Sequence, residues 1–163
     1  MKSDLFKHEM TETSGIFGRR SDTEVVFEGT GAKTNGKKIF LPAIASGVDV
    51  KTGTVMVLRG YRDHEAFHVY DTDFEYLNRW ARGKFKGVVR GKQKTLMSLQ
   101  NCLEDVWIER RGMKRYPGSE KNLSATASKV NGTFFFRPDA KAICKNWLMI
   151  TGVALTWEGR KGY

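Results

Sequence analysis

Two of the chain's three histidines stand four residues apart in the stretch RGYRDHEAFHVYDTDFE, residues 59–75, with a glutamate directly after the first. On an α-helix, residues i and i+4 project from one face about a turn apart, so His64 and His68 can each turn a ring nitrogen toward one ion. Glu65 lies about 100° around such a helix. There its carboxylate can act as general base on a water without competing for the metal. His64-Glu65-Ala66-Phe67-His68 is thus the donor pattern of a zinc hydrolase, and equally the pattern of two polar residues sharing a helix face. A third protein ligand separates the two readings, because catalytic zinc sites take three ligands from the protein and leave the fourth position open.

The stretch NCLEDVWIERR, residues 101–111, supplies candidates. Asp105 is the favoured third ligand, with Glu104 as the alternative. Asp105 and Glu109 form a DxxxE pair, in which the second carboxylate can accept a hydrogen bond from a ligating histidine and so set its tautomer. Asp71 falls on the His64/His68 face one further turn along. It suits an outer hydrogen bond rather than ligation, or is a solvated acid at a helix end. Two imidazoles and a carboxylate suit one zinc ion and also admit iron, cobalt or nickel. Arg59, Tyr61 and Tyr70 are nearby groups able to stabilise an oxyanion, with nothing to select among them.

The elements that position these residues read as a mainly helical α+β chain. Residues 1–23 lack clear periodicity and are expected to be loosely held, leaving a single domain over 24–163. Two β-favouring runs, 24–28 and 37–41, flank Asn35-Gly36, a turn signal that predicts a β-hairpin. Its strand around Lys38–Leu41 would align an extended peptide by β-addition. A helix from about 60 to 79 carries both histidines. Another, over about 95–116, has Leu96, Leu99, Leu103 and Val106 as its buried stripe. A shorter helix around 119–129, an aromatic strand or loop at 133–138 and a last helix over about 139–157 follow.

Arg79, Arg82, Lys84, Lys86, Arg90, Lys92 and Lys94 accumulate with Trp80 and Phe85 in a stretch without acids. As a loop joining the two ligand helices, it reads as a solvated connection. It also reads as a rim that selects an acidic or peptide substrate, or that grips phosphates and stacks bases. The net charge of +10 favours an anionic partner: nucleic acid, an acidic protein segment or phosphate. No apolar run of membrane-spanning length and no signal-peptide pattern occurs, so a cytoplasmic protein with no membrane partner is expected. Cys102 and Cys144 form no CxxC and read as reduced thiols rather than metal ligands.

Three segments, VVFEGTGAKTNGKKIFLPAI, LRGYRDHEAFHVYDTDF and LQNCLEDVWIERRGMKRYPGSEKNL, resemble in their order and separations the N-terminal region of cobaltochelatase T-subunit-like proteins of bacteria and bacteriophages. The resemblance spans roughly residues 24–123. It implies a zincin-like, metallopeptidase-type domain. In longer relatives this domain is followed by an acidic linker and a von Willebrand factor A domain, and it works beside a MoxR-type AAA+ ATPase in a chelatase-like complex. No DxSxS metal-adhesion motif occurs in these residues, so the chain reads as the N-terminal part of that architecture or as a short member of it. Two functions follow. One is a zinc-dependent hydrolase in a bacterial or phage-infected cytoplasm, with Glu65 as catalytic base and His64, His68 and Asp105 holding the ion. The other is a metal-stabilised interaction module that couples the ATPase to a target without hydrolysis.

Overall fold

The computed structural model describes residues 1–84, 87, 90–135 and 160. In chain order the elements are α1 (Ser3–Phe17), β1 (Glu24–Phe27), β2 (Lys33–Thr34), β3 (Lys38–Leu41), α2 (Thr52–Asp71), α3 (Phe74–Lys84), α4 (Arg90–Arg115), a 3-10 turn (Pro117–Ser119) and α5 (Glu120–Phe135). The chain is mainly helical α+β, as its sequence predicts. It divides into two compact units, one of Met1–Thr72 with Ile108–Val130 and one built on Asp73–Trp107. Among the described residues no helix is long and apolar enough to cross a membrane.

In the first unit β3 alternates, with Lys38 exposed and Ile39 and Leu41 fully buried. Those two side chains share a core with Phe6 and Met10 of α1 and with Val55, Leu58, Ala66 and Val69 of α2. Each large aliphatic buried there stabilises the fold by about 1.5–3 kcal/mol. The expectation that residues 1–23 are loosely held is corrected by α1, whose buried face is Ser3, Phe6, Met10 and Ser14. That face has helical spacing but is half polar, so apolar periodicity understates it. The Ser14 hydroxyl is satisfied locally, donating to Met10 O at 2.7 Å. The guanidinium of Arg59 clamps both oxygens of Glu9 at 2.8 and 2.7 Å, tying α2 to α1.

The strand order is β1-β3-β2, with β1 parallel and β2 antiparallel to β3. The predicted hairpin between 24–28 and 37–41 is therefore wrong in its pairing. Asn35-Gly36 does turn the chain, but between β2 and β3. Gly36 takes φ +86°, and Asn35 Oδ1 accepts from the N–H groups of Lys37 and Lys38 at 3.0 and 2.8 Å. A second reversal, at Gly29 with φ +65°, brings β1 to the other side of β3 in the same direction. With both neighbours in place, β3 is the central strand and cannot take an added peptide; the sheet edges are β1 and β2.

Helix α2 starts at Thr52, well before the predicted start near Gly60. Gly60 lies inside the helix because α5 packs directly on it: a Cβ there would sit 2.0 Å from Thr126 Oγ1 and 2.3 Å from Asn122 O. The helix ends at Thr72, whose backbone turns extended (φ −84°, ψ 123°). Asp73 then caps α3, its Oδ1 accepting from Tyr76 N at 2.8 Å. The single helix predicted to about 79 is thus two.

In the second unit, the basic residues read as a loop belong mostly to helices. Arg79, Arg82 and Lys84 lie on α3, and Arg90, Lys92 and Lys94 on α4; Lys86 falls outside the described residues. The predicted apolar stripe of α4 is also corrected, since Leu96 is 44% and Leu103 58% exposed. Further along, the buried positions are Ile108, Glu109 and Gly112. The aromatic stretch at 133–138 begins inside α5. The rest of it, the last predicted helix and Cys144 lie outside the described residues.

Candidate metal centre

The HEAFH residues occupy the second half of α2, where the helix is buried almost all round. Ala66, Phe67 and Val69 face apolar neighbours, which obliges the intervening polar residues to find partners inside the fold. His64 and His68 stand edge to face with ring centroids 4.8 Å apart. Glu65 is 6% and His68 8% exposed.

Phe67 anchors the surroundings. Its ring stacks with Phe17 and Tyr116 at centroid distances of 5.9 and 6.3 Å. On another side it meets Gly112 of α4, where a Cβ would lie 2.1 Å from Phe67 Cδ2. Glycine at 112 therefore lets the α4 backbone approach α2 directly. That approach carries Glu109, three residues earlier and 3% exposed, onto His64, whose Nδ1 lies 2.7 Å from Glu109 Oε1. An ionised carboxylate can only accept, so in the neutral ring Nδ1 holds the proton and the lone pair is on Nε2. His68 Nδ1 lies 2.8 Å from Thr72 Oγ1, and a hydroxyl accepting there selects the same tautomer.

Asp63, next to His64, is wholly buried. Its two oxygens accept from Arg62 Nε at 2.6 Å and from Asn122 Nδ2 at 2.9 Å. Burial pushes its carboxyl above the usual range, while Arg62 and Asn122 pull it back. Arg62 lies 5.0 Å from the centroid of Phe17. With Thr126, whose hydroxyl donates to Val57 O at 2.9 Å, this tie holds α5 against α2 at the turns that lead into the histidines.

The other sequence candidates are placed as follows. The side chain of Asp71 is 2% exposed and is held by Arg111 Nε at 3.1 Å and by the guanidinium of Arg115. It is neither a solvated acid nor a histidine partner, because two arginines of α4 reach it first. Arg59 is engaged with Glu9, Tyr61 packs half-buried on the core, and Tyr70 lies under Arg19 and Arg115. On the part of α4 that belongs to the second unit, Asp105 accepts from Asn101 Nδ2 at 3.2 Å and Glu104 from Gln100. Thr72, Asn122 and Gly112 were missed in the sequence. The i, i+4 spacing of His68 and Thr72 was the one available signal.

The family model described as "Cobalamin biosynthesis protein CobT" matches residues 1–133. The chain belongs to the CobT family. The CobT match begins at Met1 and so includes α1, beyond the 24–123 span in which the sequence resemblance is visible. It contains every residue of the histidine centre described above. No curated protein and no solved structure matches the chain.

Proposed function

We propose that this CobT-family chain is a metal-binding subunit of a cobaltochelatase-like complex in the cytoplasm, working beside a MoxR-type AAA+ ATPase, with His64, His68 and Asp105 holding one divalent ion. The observation that carries the metal reading is the buried Glu109 carboxylate on His64 Nδ1 at 2.7 Å. A carboxylate on the far nitrogen is the usual support of a ligating histidine. Asp105 precedes Glu109 by one helical turn and shares its face of α4, which supports it as third ligand. Glu104, about 100° around the helix, ranks second. Two imidazoles and a carboxylate fit zinc best, and cobalt or nickel next. Such an ion, when bound, adds its binding free energy to the stability of the helices that supply its ligands.

The second reading is a zincin-like peptidase, favoured by Glu65 in its place after His64 and buried beside it. Family membership weighs toward assembly, since CobT is described by a biosynthetic pathway and not by proteolysis. Peptide cleavage by zinc-loaded wild type and Glu65→Gln separates the two. The subunit reading predicts equal zinc content and no Glu65-dependent cleavage of an unfolded protein substrate. Cleavage by wild type that Glu65→Gln abolishes would establish the peptidase instead.

A further inference from the structure

Helix α1 has two faces, and the core uses one of them, through Ser3, Phe6, Met10 and Ser14. The same spacing, moved two residues along, gives Leu5, His8, Glu12 and Ile16, and two residues turn a helix by about 200°. All four are exposed. At 64% and 62%, Leu5 and Ile16 are the two most exposed large apolar side chains among the described residues. Polar neighbours on the helix are engaged: Asp4 Oδ2 accepts from Gly47 N, Lys7 Nζ donates to Ser46 Oγ, and Glu9 holds Arg59. His8 and Glu12 make no hydrogen bond or ion pair with any described residue.

This open stripe is complementary to itself in reverse. Leu5 and Ile16 lie almost equally far on either side of Met10, and so do His8 and Glu12. A second α1 laid antiparallel about a two-fold axis level with Met10 therefore sets Leu5 on the partner's Ile16 and His8 on the partner's Glu12. Two-fold symmetry makes each contact twice. Alternating steps of three and four are also the spacing by which paired helices interdigitate. A parallel pairing in register would instead set glutamate on glutamate and histidine on histidine, so the charges select the antiparallel one.

We propose that the outer face of α1 is a self-association surface, occupied by α1 of a second copy of this chain in that antiparallel arrangement. A second copy is favoured because the stripe supplies both halves of its own complement, apolar against apolar and acid against base. A lipid surface fits poorly, since the middle of the stripe is polar. A single pair of fifteen-residue helices covers less than the roughly 1,200 Å² of a standard interface, so the dimer is a weak, concentration-dependent one. It does not depend on the metal reading, since no proposed ligand lies on α1.

The test is sedimentation equilibrium of the full chain at about 0.15 M salt, which screens the repulsion between two basic copies. Wild type should pass from monomer to dimer between about 10 µM and 1 mM. Leu5→Glu and Ile16→Glu should each raise the dissociation constant about tenfold or more, with the melting temperature kept because both side chains are exposed. Leu103→Glu, at a comparably exposed leucine on α4, should leave association unchanged. His8→Glu should weaken the dimer, and adding Glu12→Lys should restore it, because opposite charges then face each other again. A loss of folding alone would not be rescued in this way. A monomer at every concentration, a dimer undiminished by Leu5→Glu, an equal loss in Leu103→Glu or no rescue by the double exchange would each overturn the proposal.

Discussion

The Glu109 carboxylate helps to orient His64. Glu109 is buried and bonded to Nδ1, so removing it takes away the acceptor that favours a proton on that nitrogen. Glu109→Ala should lower zinc affinity by about 10–100-fold, as measured by competition with a chelator, and Glu109→Gln should lose less because the amide oxygen still accepts. The matching test for His68 is Thr72→Val, which should weaken zinc binding while Thr72→Ser restores it. A Val variant with unchanged affinity would show that Thr72 plays no part. Glu109 was legible in the sequence because a DxxxE pair on a helix has few readings. Thr72 was not, because a threonine at a helix end is ordinary until its partner is known. Asp71 was misread for the reverse reason: its partners, Arg111 and Arg115, lie about forty residues away, beyond any local pattern.

At the level of elements, two glycines decide how closely helices approach. Gly112 lets Phe67 lie on α4, and Gly60 lets α5 lie on α2. Gly60→Ala and Gly112→Ala should each cost about 1–3 kcal/mol by chemical denaturation, since the added methyl has no room. Gly60→Ala should cost more, because backbone as well as side chain stands in its way. Gly53 has nothing within 4 Å of its would-be Cβ; Gly53→Ala should be neutral or stabilising by about 0.5–1 kcal/mol. Equal effects at all three positions would contradict the packing described. The sequence showed that helices carry the histidines and the DxxxE pair, because both segments have helical spacing. It did not show where α2 begins, since a glycine used for close contact looks the same as one that breaks a helix. The β-pairing was missed because the Asn35-Gly36 turn is local, whereas the parallel partner of β3 is set by a second reversal and by the core that Ile39 and Leu41 share with α2. The buried face of α4 was misassigned because a glycine and a carboxylate, Gly112 and Glu109, occupy positions where apolar periodicity looks for leucine.

For the whole chain, the family match over residues 1–133 and the core that Phe6 and Met10 share with α2 point to the same conclusion: a folded body that includes α1. The net charge of +10 fits an anionic partner without naming one. If α1 is as integral as Phe6 and Met10 make it, deleting residues 1–18 should abolish cooperative unfolding rather than leave a trimmed, stable domain. The most direct test of the central claim is the metal content of purified protein after zinc supplementation and dialysis, for wild type and His64→Ala. The account predicts about one zinc per wild-type chain, with a melting temperature that falls on chelation, and little or none in a folded His64→Ala variant. A well-folded wild type that retains no zinc, or a His64→Ala variant that retains as much, would contradict it.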